Sequence, residues 1–435
     1  MTLAKNRNFI FLLSGQLVST VGNNLFGIAL PWYVYALTGS KSALALTGIA
    51  QTMPALIGLV AGVFVDRWPK RATMIWSDVI RALFSGVLVL DVLFHWPFWT
   101  VLAMVLALQA VGQFFNPASG ALFPLLVDEG DVAAGSGILQ SSSATAQLLG
   151  TVSGGALMGA LGAPFLFFMD TISFLVSVFS LLFIRVKEVV TRQTTTENQK
   201  PAGESSLAGE RHRSESTAAS RIRTFLKDWI EGLSLISRSK FLLLVLTSAL
   251  VTNFALAPMD ITLTAWVKGP MHGSPLALGI INGGFFVGVI LGGMFLGVIS
   301  KRVPLRATLL IGLIGIGLCT MAFGLFHTTV PETIVSVVAG VAAGSLNGAL
   351  SATMIQLIPP AIRGRAFGIF GAMATFATPL GMVLFGSLMI HVSLQTLFVL
   401  IGSIAALSGL SFLLPIPNDQ DRLRDATSPG VTEQG

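Results

Sequence analysis

The stretch Gly62-Val-Phe-Val-Asp-Arg-Trp-Pro-Lys-Arg71 ends a long apolar run in a short basic turn, and a second copy of it occurs later in the chain. Adding 235 to each residue number gives Gly297-Val-Ile-Ser-Lys-Arg-Val-Pro-Leu-Arg306, in which the glycine, the proline and two arginines recur at the same places. A match in one register without gaps predicts an internal repeat. The two halves should have the same orientation, each with a basic turn between two membrane spans.

The composition is that of a membrane protein. Of 435 residues, 53% are hydrophobic and only 11% are charged. Apolar runs of about twenty residues, enough to cross a bilayer as a helix, recur along the chain. The formal net charge of +6 comes from basic residues in short turns and in one polar linker, so no nucleic-acid partner is expected. The single cysteine, Cys319, lies in an apolar run, so neither a disulfide framework nor a thiol metal site is expected.

The apolar runs predict an all-α membrane protein with twelve transmembrane helices in two parallel repeats of six. The predicted domains are a six-helix bundle (1–184), a cytoplasmic linker with an amphipathic helix (185–240), a second six-helix bundle (241–417) and a cytoplasmic tail (418–435). The predicted spans are 9–36, 43–65, 72–92, 98–115, 136–160, 164–184, 241–265, 276–299, 307–326, 331–357, 366–390 and 394–414.

The placement of lysines and arginines predicts the orientation. With the N-terminus inside, the outer connections hold only Lys41 and Lys268. The inner connections hold Lys5, Arg7, Arg67, Lys70, Arg71, Arg185, Lys187, Lys301, Arg302, Arg306, Arg363 and Arg365. We therefore expect both termini in the cytoplasm and a multi-pass protein of the cell membrane, such as a bacterial inner membrane.

The glycines and arginines of the basic turn are suited to the inner membrane surface. Gly58 and Gly62 lie four residues apart on one helix face, a spacing that lets neighbouring helices approach closely and slide. Arg67 and Arg71 would hold the turn at the anionic inner leaflet, so membrane lipids are expected partners. A plain positive-inside turn would also explain these residues, but their repetition favours a specific role.

The turn and several further segments resemble the major facilitator superfamily. The turn looks like the signature cytoplasmic loop between the second and third helices of that family, and the twelve spans, the repeat and the polar linker resemble it over nearly the whole chain. The drug-efflux branch, which includes macrolide efflux permeases and the enterobactin exporter, has similar segments. They are Asp66-Arg67 followed by Asp78-x-x-Arg81, Asn116-Pro-Ala-Ser-Gly-Ala-Leu-Phe-Pro124, Phe167-Phe-Met-Asp-Thr-Ile-Ser-Phe174 and Arg363-Gly-Arg-Ala-Phe-Gly368.

This resemblance implies that the loop is a latch of the cytoplasmic gate, with its aspartate paired to neighbouring helices when the inner side is closed. Gly62, Asp66, Arg67 and Arg71 would belong to the gate motif. Asp78 and Arg81 would be a supporting pair, and their i, i+3 spacing puts them on one helix face, where an unpaired intramembrane charge is costly. A purely structural salt bridge would explain that pair equally well.

The second copy of the turn departs from the first. Lys301 stands where the first copy has Asp66, so the two turns cannot form the same ion pair. The second turn, with Gly297, Arg302 and Arg306, is therefore interpreted as a membrane-surface anchor.

Any proton coupling should rest on a carboxylate, because none of the five histidines lies deep in a span. Asp260 lies two residues after Pro258 near the outer end of the seventh span, on a helix that lines the cavity in the family fold, so it is the favoured proton carrier. Asp170 is the second candidate, but the sixth span usually packs behind, and a structural hydrogen-bonded carboxylate would explain it. The fourth span, at 107–112, lacks the arginine that many proton-coupled relatives carry, so the chain departs from that part of their scheme.

Polar side chains on the helices that line the family's cavity are mostly amides, interleaved with aromatic residues. Such a pocket suits a large amphipathic ligand better than a small anion, which would need arginine or lysine at mid-depth. Interhelical hydrogen bonds would explain many of the same amides. The candidate cavity residues are Gln16, Asn23, Asn24, Gln109, Gln113, Asn253, Asn347 and Gln356.

The sequence contains no phosphate-binding loop, zinc-protease motif or nucleophile elbow, so we expect neither an enzyme nor direct ATP drive. The expected function is secondary active export of an amphipathic drug, macrolide-like or siderophore-like compound by alternating access, as a monomeric proton antiporter without cofactor or metal. An uptake porter or a lysolipid flippase of the same fold is the alternative. A membrane sensor that does not transport is a third possibility.

Overall fold

Helices make up almost the whole of the described chain. The computed structural model describes residues 3–65, 67–185, 239–299, 303–358 and 360–414, without the side chains at 4, 59, 63, 129, 298, 299 and 360–365. No strand occurs in these ranges, which confirms the all-α class. Asp66, Lys301 and Arg302 lie outside the described residues, as do the predicted amphipathic helix and the tail.

Fourteen α-helices follow one another in the described residues. In the first half they are α1 (Arg7–Thr38), α2 (Lys41–Thr52), α3 (Ala55–Val65), α4 (Lys70–Phe94), α5 (Phe98–Gly112), α6 (Phe115–Leu122) and α7 (Val132–Leu182). In the second half they are α8 (Lys240–Leu256), α9 (Met259–Lys268), α10 (Pro275–Ile299), α11 (Leu305–Ala322), α12 (Thr329–Leu357), α13 (Pro360–His391) and α14 (Leu394–Leu410).

Nine helical stretches of the described chain are long and apolar enough to cross a bilayer. One of them, α7, has 51 residues and changes direction at Gly162, whose φ of 76° and ψ of 176° lie outside the helical region. It therefore covers both the fifth and the sixth predicted span. The outer surface carries large exposed apolar side chains such as Trp76, Leu83 and Val330, as expected where lipid replaces water. The count of twelve crossings stays a prediction.

Local sequence explains where the helices begin and break. The Asn6 side chain accepts a hydrogen bond from the Phe9 amide at the start of α1, and Gly39 ends that helix in the left-handed conformation. Pro54 separates α2 from α3 and Pro258 separates α8 from α9, because proline lacks the amide that a continuous helix needs at that point. The second and seventh predicted spans are therefore broken helices.

The packing of the helices divides the chain into two halves. In the first half α1 and α4 pack along α7, and in the second half α10 packs along α12 while α11 packs along α14. The halves meet where α7 contacts α10 and where α2 contacts α13. A methyl group built on Gly155 of α7 would lie 2.6 Å from the Gly279 Cα of α10, so the two backbones touch there and only glycine fits.

The repeated turn caps the last helix of each half. Arg71 donates from Nε to the Leu181 carbonyl at 2.9 Å and from Nη2 to the Leu182 carbonyl at 2.8 Å. Arg306 donates from Nε to the Phe412 carbonyl at 2.9 Å and from Nη2 to the Leu414 carbonyl. A cation next to the free carbonyls at a helix C-terminus is favourable. The arginine of the repeat therefore caps the end of the last helix in both halves.

The glycines of the repeated turn do not mediate the predicted close helix contact. A methyl group on Gly62, Gly293 or Gly297 would meet no atom within 4 Å, and one on Gly58 would meet the flexible Gln113 side chain. The prediction of a close helix contact through Gly62 was therefore wrong, because no neighbouring backbone approaches that position. Backbone contacts between glycines occur instead along α10 and α12, where Gly288 faces Gly340.

Candidate functional site

A cavity of about 430 Å³ lies between the two halves and has walls from both. Its polar residues are amides and hydroxyls together with one carboxylate, and its aromatic residues are Phe285 and Phe286. The lining residues are Asn24, Gly27, Ile28, Pro31, Gly48, Gln51, Thr52, Thr151, Ala257, Asp260, Ile261, Thr264, Asn282, Phe285, Phe286, Thr378 and Met382.

Asp260 is the carboxylate of this cavity. It lies in the first turn of α9, directly after the break at Pro258, and its side chain is exposed to the cavity. The helix continues to Lys268, so Asp260 lies about 12 Å from its end by helix rise, deeper than the sequence pattern indicated. The broken helix thus places an ionisable group at the wall of a space that both halves share.

Few of the predicted cavity residues reach this cavity. Asn24 lines it, and its Oδ1 accepts a hydrogen bond from the Thr151 hydroxyl at 3.4 Å. Gln16 donates instead to Ser119 within the first half, and Gln113 donates to the Gln109 carbonyl at 3.3 Å. The exposed side chains of Asn23, Asn253, Asn347 and Gln356 are not among its walls.

Other polar residues of the cavity were missed by the sequence reasoning. Gln51 and Thr52 come from the end of α2, and Asn282 comes from α10. The signal was present, because each is a polar residue inside an apolar run. These residues were not predicted because the second and eighth spans are not among the helices that line the cavity in the family fold.

Two lysines join the halves at the face where α1 and α9 end. Lys41, at the start of α2, donates to the Val392 carbonyl at 3.3 Å. Lys268, at the end of α9, donates to the Trp32 carbonyl at 3.5 Å, and its ammonium lies 4.9 Å from the Trp32 ring centroid. These are the two lysines that the sequence placed in outer connections, and each crosses from its own half to the backbone of the other.

The predicted pair of Asp78 and Arg81 is formed in the core of the first half. Arg81 Nη1 lies 3.4 Å from Asp78 Oδ1, and both side chains are buried. Arg81 Nη2 also donates to Asn23 Oδ1 of α1 at 2.8 Å, and the guanidinium carbon lies 4.1 Å from the Phe174 ring centroid. The arginine therefore links α1, α4 and α7.

Arg81 also lies against the fourth predicted span. A methyl group built on Gly112 of α5 would lie 3.5 Å from Arg81 Nε. The 107–112 stretch lacks an arginine of its own, but the neighbouring helix α4 brings a cation beside it. Arg81 of α4 therefore supplies a cation next to the stretch that has no arginine of its own.

Asp170 lies near this pair and away from the cavity. It is 1% exposed, and its Oδ2 accepts a hydrogen bond from the Ser85 hydroxyl at 2.9 Å. The position agrees with the prediction of a carboxylate that packs behind the cavity helices. Asp78, Arg81 and Asp170 are called the charge cluster below.

A further buried carboxylate, Glu332, was not among the predicted residues. It accepts hydrogen bonds from Trp266 Nε1 at 3.1 Å and from the Gly324 amide at 3.2 Å. These bonds fix the end of α9 against the start of α12, next to Lys268. Among the described residues, no group of three or more histidine, cysteine, aspartate or glutamate side chains could hold a metal ion.

The sequence has relatives over most of its length. It matches the sequence model of the Major Facilitator Superfamily over residues 12–271 and 254–431. It is 23% identical over 406 residues to macrolide efflux protein A of Streptococcus pyogenes, covering 91% of this chain and 93% of that protein. It is 24% identical over 396 residues to the multidrug efflux pump Tap of Mycolicibacterium fortuitum, covering 89% of this chain and 90% of that protein. A match to the uncharacterized MFS-type transporter YvqJ of Bacillus subtilis spans 63% of this chain and 61% of that protein.

Solved transporter structures share the fold. A POT family transporter in complex with 5-aminolevulinic acid superposes with a TM-score of 0.73 at 13% identity, covering 97% of this chain and 98% of that one. The nucleoside transporter NupG superposes with a TM-score of 0.72 at 13% identity, covering 93% of this chain and 98% of that one. At this identity the likeness concerns the fold alone.

Proposed function

Because this chain belongs to the major facilitator superfamily and is a multi-pass membrane transporter, we propose that it exports an amphipathic compound by alternating access, driven by proton influx. The relatives named as macrolide and multidrug efflux proteins support export of a drug-like compound. The proposal requires a single copy of the chain, since both walls of the cavity come from it. It requires no resident cofactor, because the proton gradient supplies the energy.

The cavity between the halves is the observation that carries this proposal. Its volume of about 430 Å³ lies in the range of small-molecule sites. Among the described residues that line it there is no lysine or arginine, which a phosphate or carboxylate ligand would need. Amides at Asn24, Gln51 and Asn282 can orient polar groups of a ligand while Phe285 and Phe286 cover its apolar part. A neutral or cationic amphipathic compound fits this lining best.

Asp260 is the proposed proton carrier because it is the carboxylate of the cavity. A carboxyl group there can exchange a proton with whichever side the cavity opens to, and it can attract a cationic substrate when it is ionised. Proton and substrate would therefore compete at one place, which is the simplest basis for antiport. Asp170, away from the cavity behind α1, cannot compete in this direct way.

Alternating access gives the two inter-half lysines a role. Lys41 and Lys268 hold the halves together at the face where α1 and α9 end, so the cavity can open there only when both hydrogen bonds break. We assign this face to the outside and both termini to the cytoplasm, in line with the concentration of arginine and lysine near the other face. Release of the exported compound would then follow loss of these two contacts.

The proposal is tested by substrate accumulation in cells that lack other pumps. Erythromycin and ethidium, as a neutral-to-basic macrolide and a lipophilic cation, would head a broad panel of labelled or fluorescent compounds. Cells that express the protein should accumulate less of at least one compound than empty cells, and an uncoupler should abolish the difference. Equal accumulation for the whole panel would contradict export, and higher accumulation in expressing cells would indicate uptake.

A further inference from the structure

The buried charges of the first half do not balance. Asp78 is 0% exposed, Asp170 is 1% exposed and Arg81 is 8% exposed, so two carboxylates share one guanidinium inside the bundle. The electrostatic partners of Arg81 among the described residues are the two aspartates. With every group ionised the cluster would carry one uncompensated negative charge, and burying such a charge within a membrane-spanning bundle is costly.

The hydrogen bonds show the same deficit. Asp78 Oδ1 faces Arg81 and the Asp78 carboxylate also has the Ser177 hydroxyl beside it, whereas Asp170 Oδ2 accepts from Ser85 and Asp170 Oδ1 is buried without a partner. The nearby Ser173 hydroxyl donates to the Asp170 carbonyl instead of its carboxylate. Burying an ionised oxygen without a hydrogen-bond donor costs more free energy than burying a neutral one. At least one of these carboxylates therefore has too few donors to be stable as an anion.

We propose that the charge cluster is a proton-binding site that holds one proton on Asp170, with Asp78 ionised against Arg81. The assignment follows from the partners, because Asp78 forms the ion pair with the arginine and Asp170 is hydrogen-bonded only to a neutral hydroxyl. One proton makes the cluster electrically neutral. Among the described residues, the charged groups that act on Asp170 are Asp78 and Arg81 of α4, and the α1 residue that faces it is the uncharged Gly22.

The site is connected to the cavity through α1. A methyl group built on Gly22 would lie 3.1 Å from the unpartnered Asp170 Oδ1, so this oxygen faces the α1 backbone. The next residue, Asn23, accepts from Arg81, and Asn24 and Gly27 on the same helix line the cavity. A change in proton occupancy and a change in cavity occupancy therefore act on the same helix. Only this role in transport rests on the proposed function, and the existence of the site does not.

Infrared difference spectroscopy of the full-length protein in lipid bilayers tests the site without a substrate, because the probe is the proton itself. A protonated carboxyl group has a carbonyl stretch band that a carboxylate lacks, and the band shifts in deuterium oxide. Wild-type protein at neutral pH should show such a band, and Asp170→Asn should lose it. Asp260→Asn, Glu332→Gln and Asp91→Asn are controls that should each leave the Asp170 band in place. Asp91 is a buried carboxylate near the end of α4 that accepts from the Thr100 hydroxyl.

Stability provides the second readout. Asp170→Asn replaces a neutral protonated group by a neutral amide, so its melting temperature should match that of the wild type. Asp78→Asn removes the direct ion pair and leaves Arg81 only Asp170 as a counter-charge outside ion-pair distance, so it should lower the melting temperature by several degrees. An Asp170→Asn variant that keeps every carboxyl band, or that melts well below Asp78→Asn, would overturn the inference.

Two further outcomes separate the site from its alternatives. If the Asp170 band disappears when sodium chloride replaces choline chloride at constant pH, a small metal cation displaces the proton, and the assignment of the cluster as a proton-specific site is wrong. If the band behaves as expected while no compound of the panel is exported, the proposed function fails and the proton site stands. If a compound is exported but the Asp170 band is missing, the site fails and antiport through Asp260 remains.

Discussion

The two halves share a cap and differ in their cores. Arg71 and Arg306 donate in the same way to the last carbonyls of their halves. The same shift of 235 residues places Leu313 and Ile316 at the positions of Asp78 and Arg81. Leu313 is 3% exposed and Ile316 is 7% exposed, so the second half buries two apolar side chains where the first half buries an ion pair.

This difference indicates that a six-helix bundle of this kind can be built without the buried ion pair. The second half uses leucine and isoleucine at the same places, and well-packed apolar residues often stabilise a core as well as or better than a buried ion pair does. The charge cluster contacts α1, a helix that also lines the cavity, so the comparison favours a functional role for the cluster. The two halves thus differ in where their intramembrane charges lie, with the cavity carboxylate Asp260 in the second half and the charge cluster in the first.

The largest expected effect comes from breaking the ion pair in one half only. Arg81→Met leaves Asp78 buried without its cation and should lower the free energy of unfolding by about 3–5 kcal/mol. The matched change in the second half, Ile316→Met, keeps the volume and should cost less than about 1.5 kcal/mol. Both values can be measured by denaturant unfolding in mixed micelles, and similar losses in the two variants would contradict the comparison.

The comparison is sharpened by copying the second half into the first. Asp78→Leu combined with Arg81→Ile should recover most of the stability that Arg81→Met loses, because no charge is left unpaired in that pair. A double variant that is no more stable than Arg81→Met would show that the first half needs the ion pair to fold.

The cap arginines should behave alike. Arg71→Gln and Arg306→Gln each remove hydrogen bonds from a partly exposed cation to the end of a helix, and each should cost about 1 kcal/mol. The melting temperatures of the two variants in detergent should therefore fall by similar amounts. A much larger loss of transport than of stability in Arg71→Gln alone would support the gate role that family resemblance implies for this residue.

The smallest effect is expected at the glycines of the turn. Gly62→Ala and Gly297→Ala meet no atom within 4 Å, and alanine favours a helix over glycine by about 1 kcal/mol at most. Both variants should thus be as stable as the wild type or slightly more stable. Gly155→Ala is the matched control, because its methyl group would strike the backbone at Gly279, and it should be clearly destabilised.

Much of the fold could be predicted from the sequence. Apolar runs bounded by charge gave the all-α membrane class, and one register of glycine, proline and arginine indicated the repeat whose arginines cap both halves. The pair of Asp78 and Arg81 was predicted from its i, i+3 spacing, which needs only the geometry of one helix. These features depend on local periodicity, which can be recognised from the order of the residues alone.

The composition of the site was harder to predict from the sequence because it depends on contacts between helices that are distant in the chain. Asn24 and Asp260 line the cavity as expected, but Gln51 and Asn282 join it only because α2 and α10 meet the other half. The cation beside Gly112 comes from another helix, so its presence could not be read from 107–112. Glycine spacing alone also could not distinguish a helix contact from an open surface at Gly62.

The proposed exchange of substrate and proton at Asp260 is tested most directly in everted membrane vesicles with an imposed pH gradient, acid inside. Addition of a compound that the accumulation assay identifies should release protons from vesicles with wild-type protein, seen as recovery of acridine orange fluorescence. Asp260→Asn should abolish this release while Asp91→Asn retains it. Proton release by Asp260→Asn equal to that of the wild type would contradict the assignment of Asp260 as the carrier.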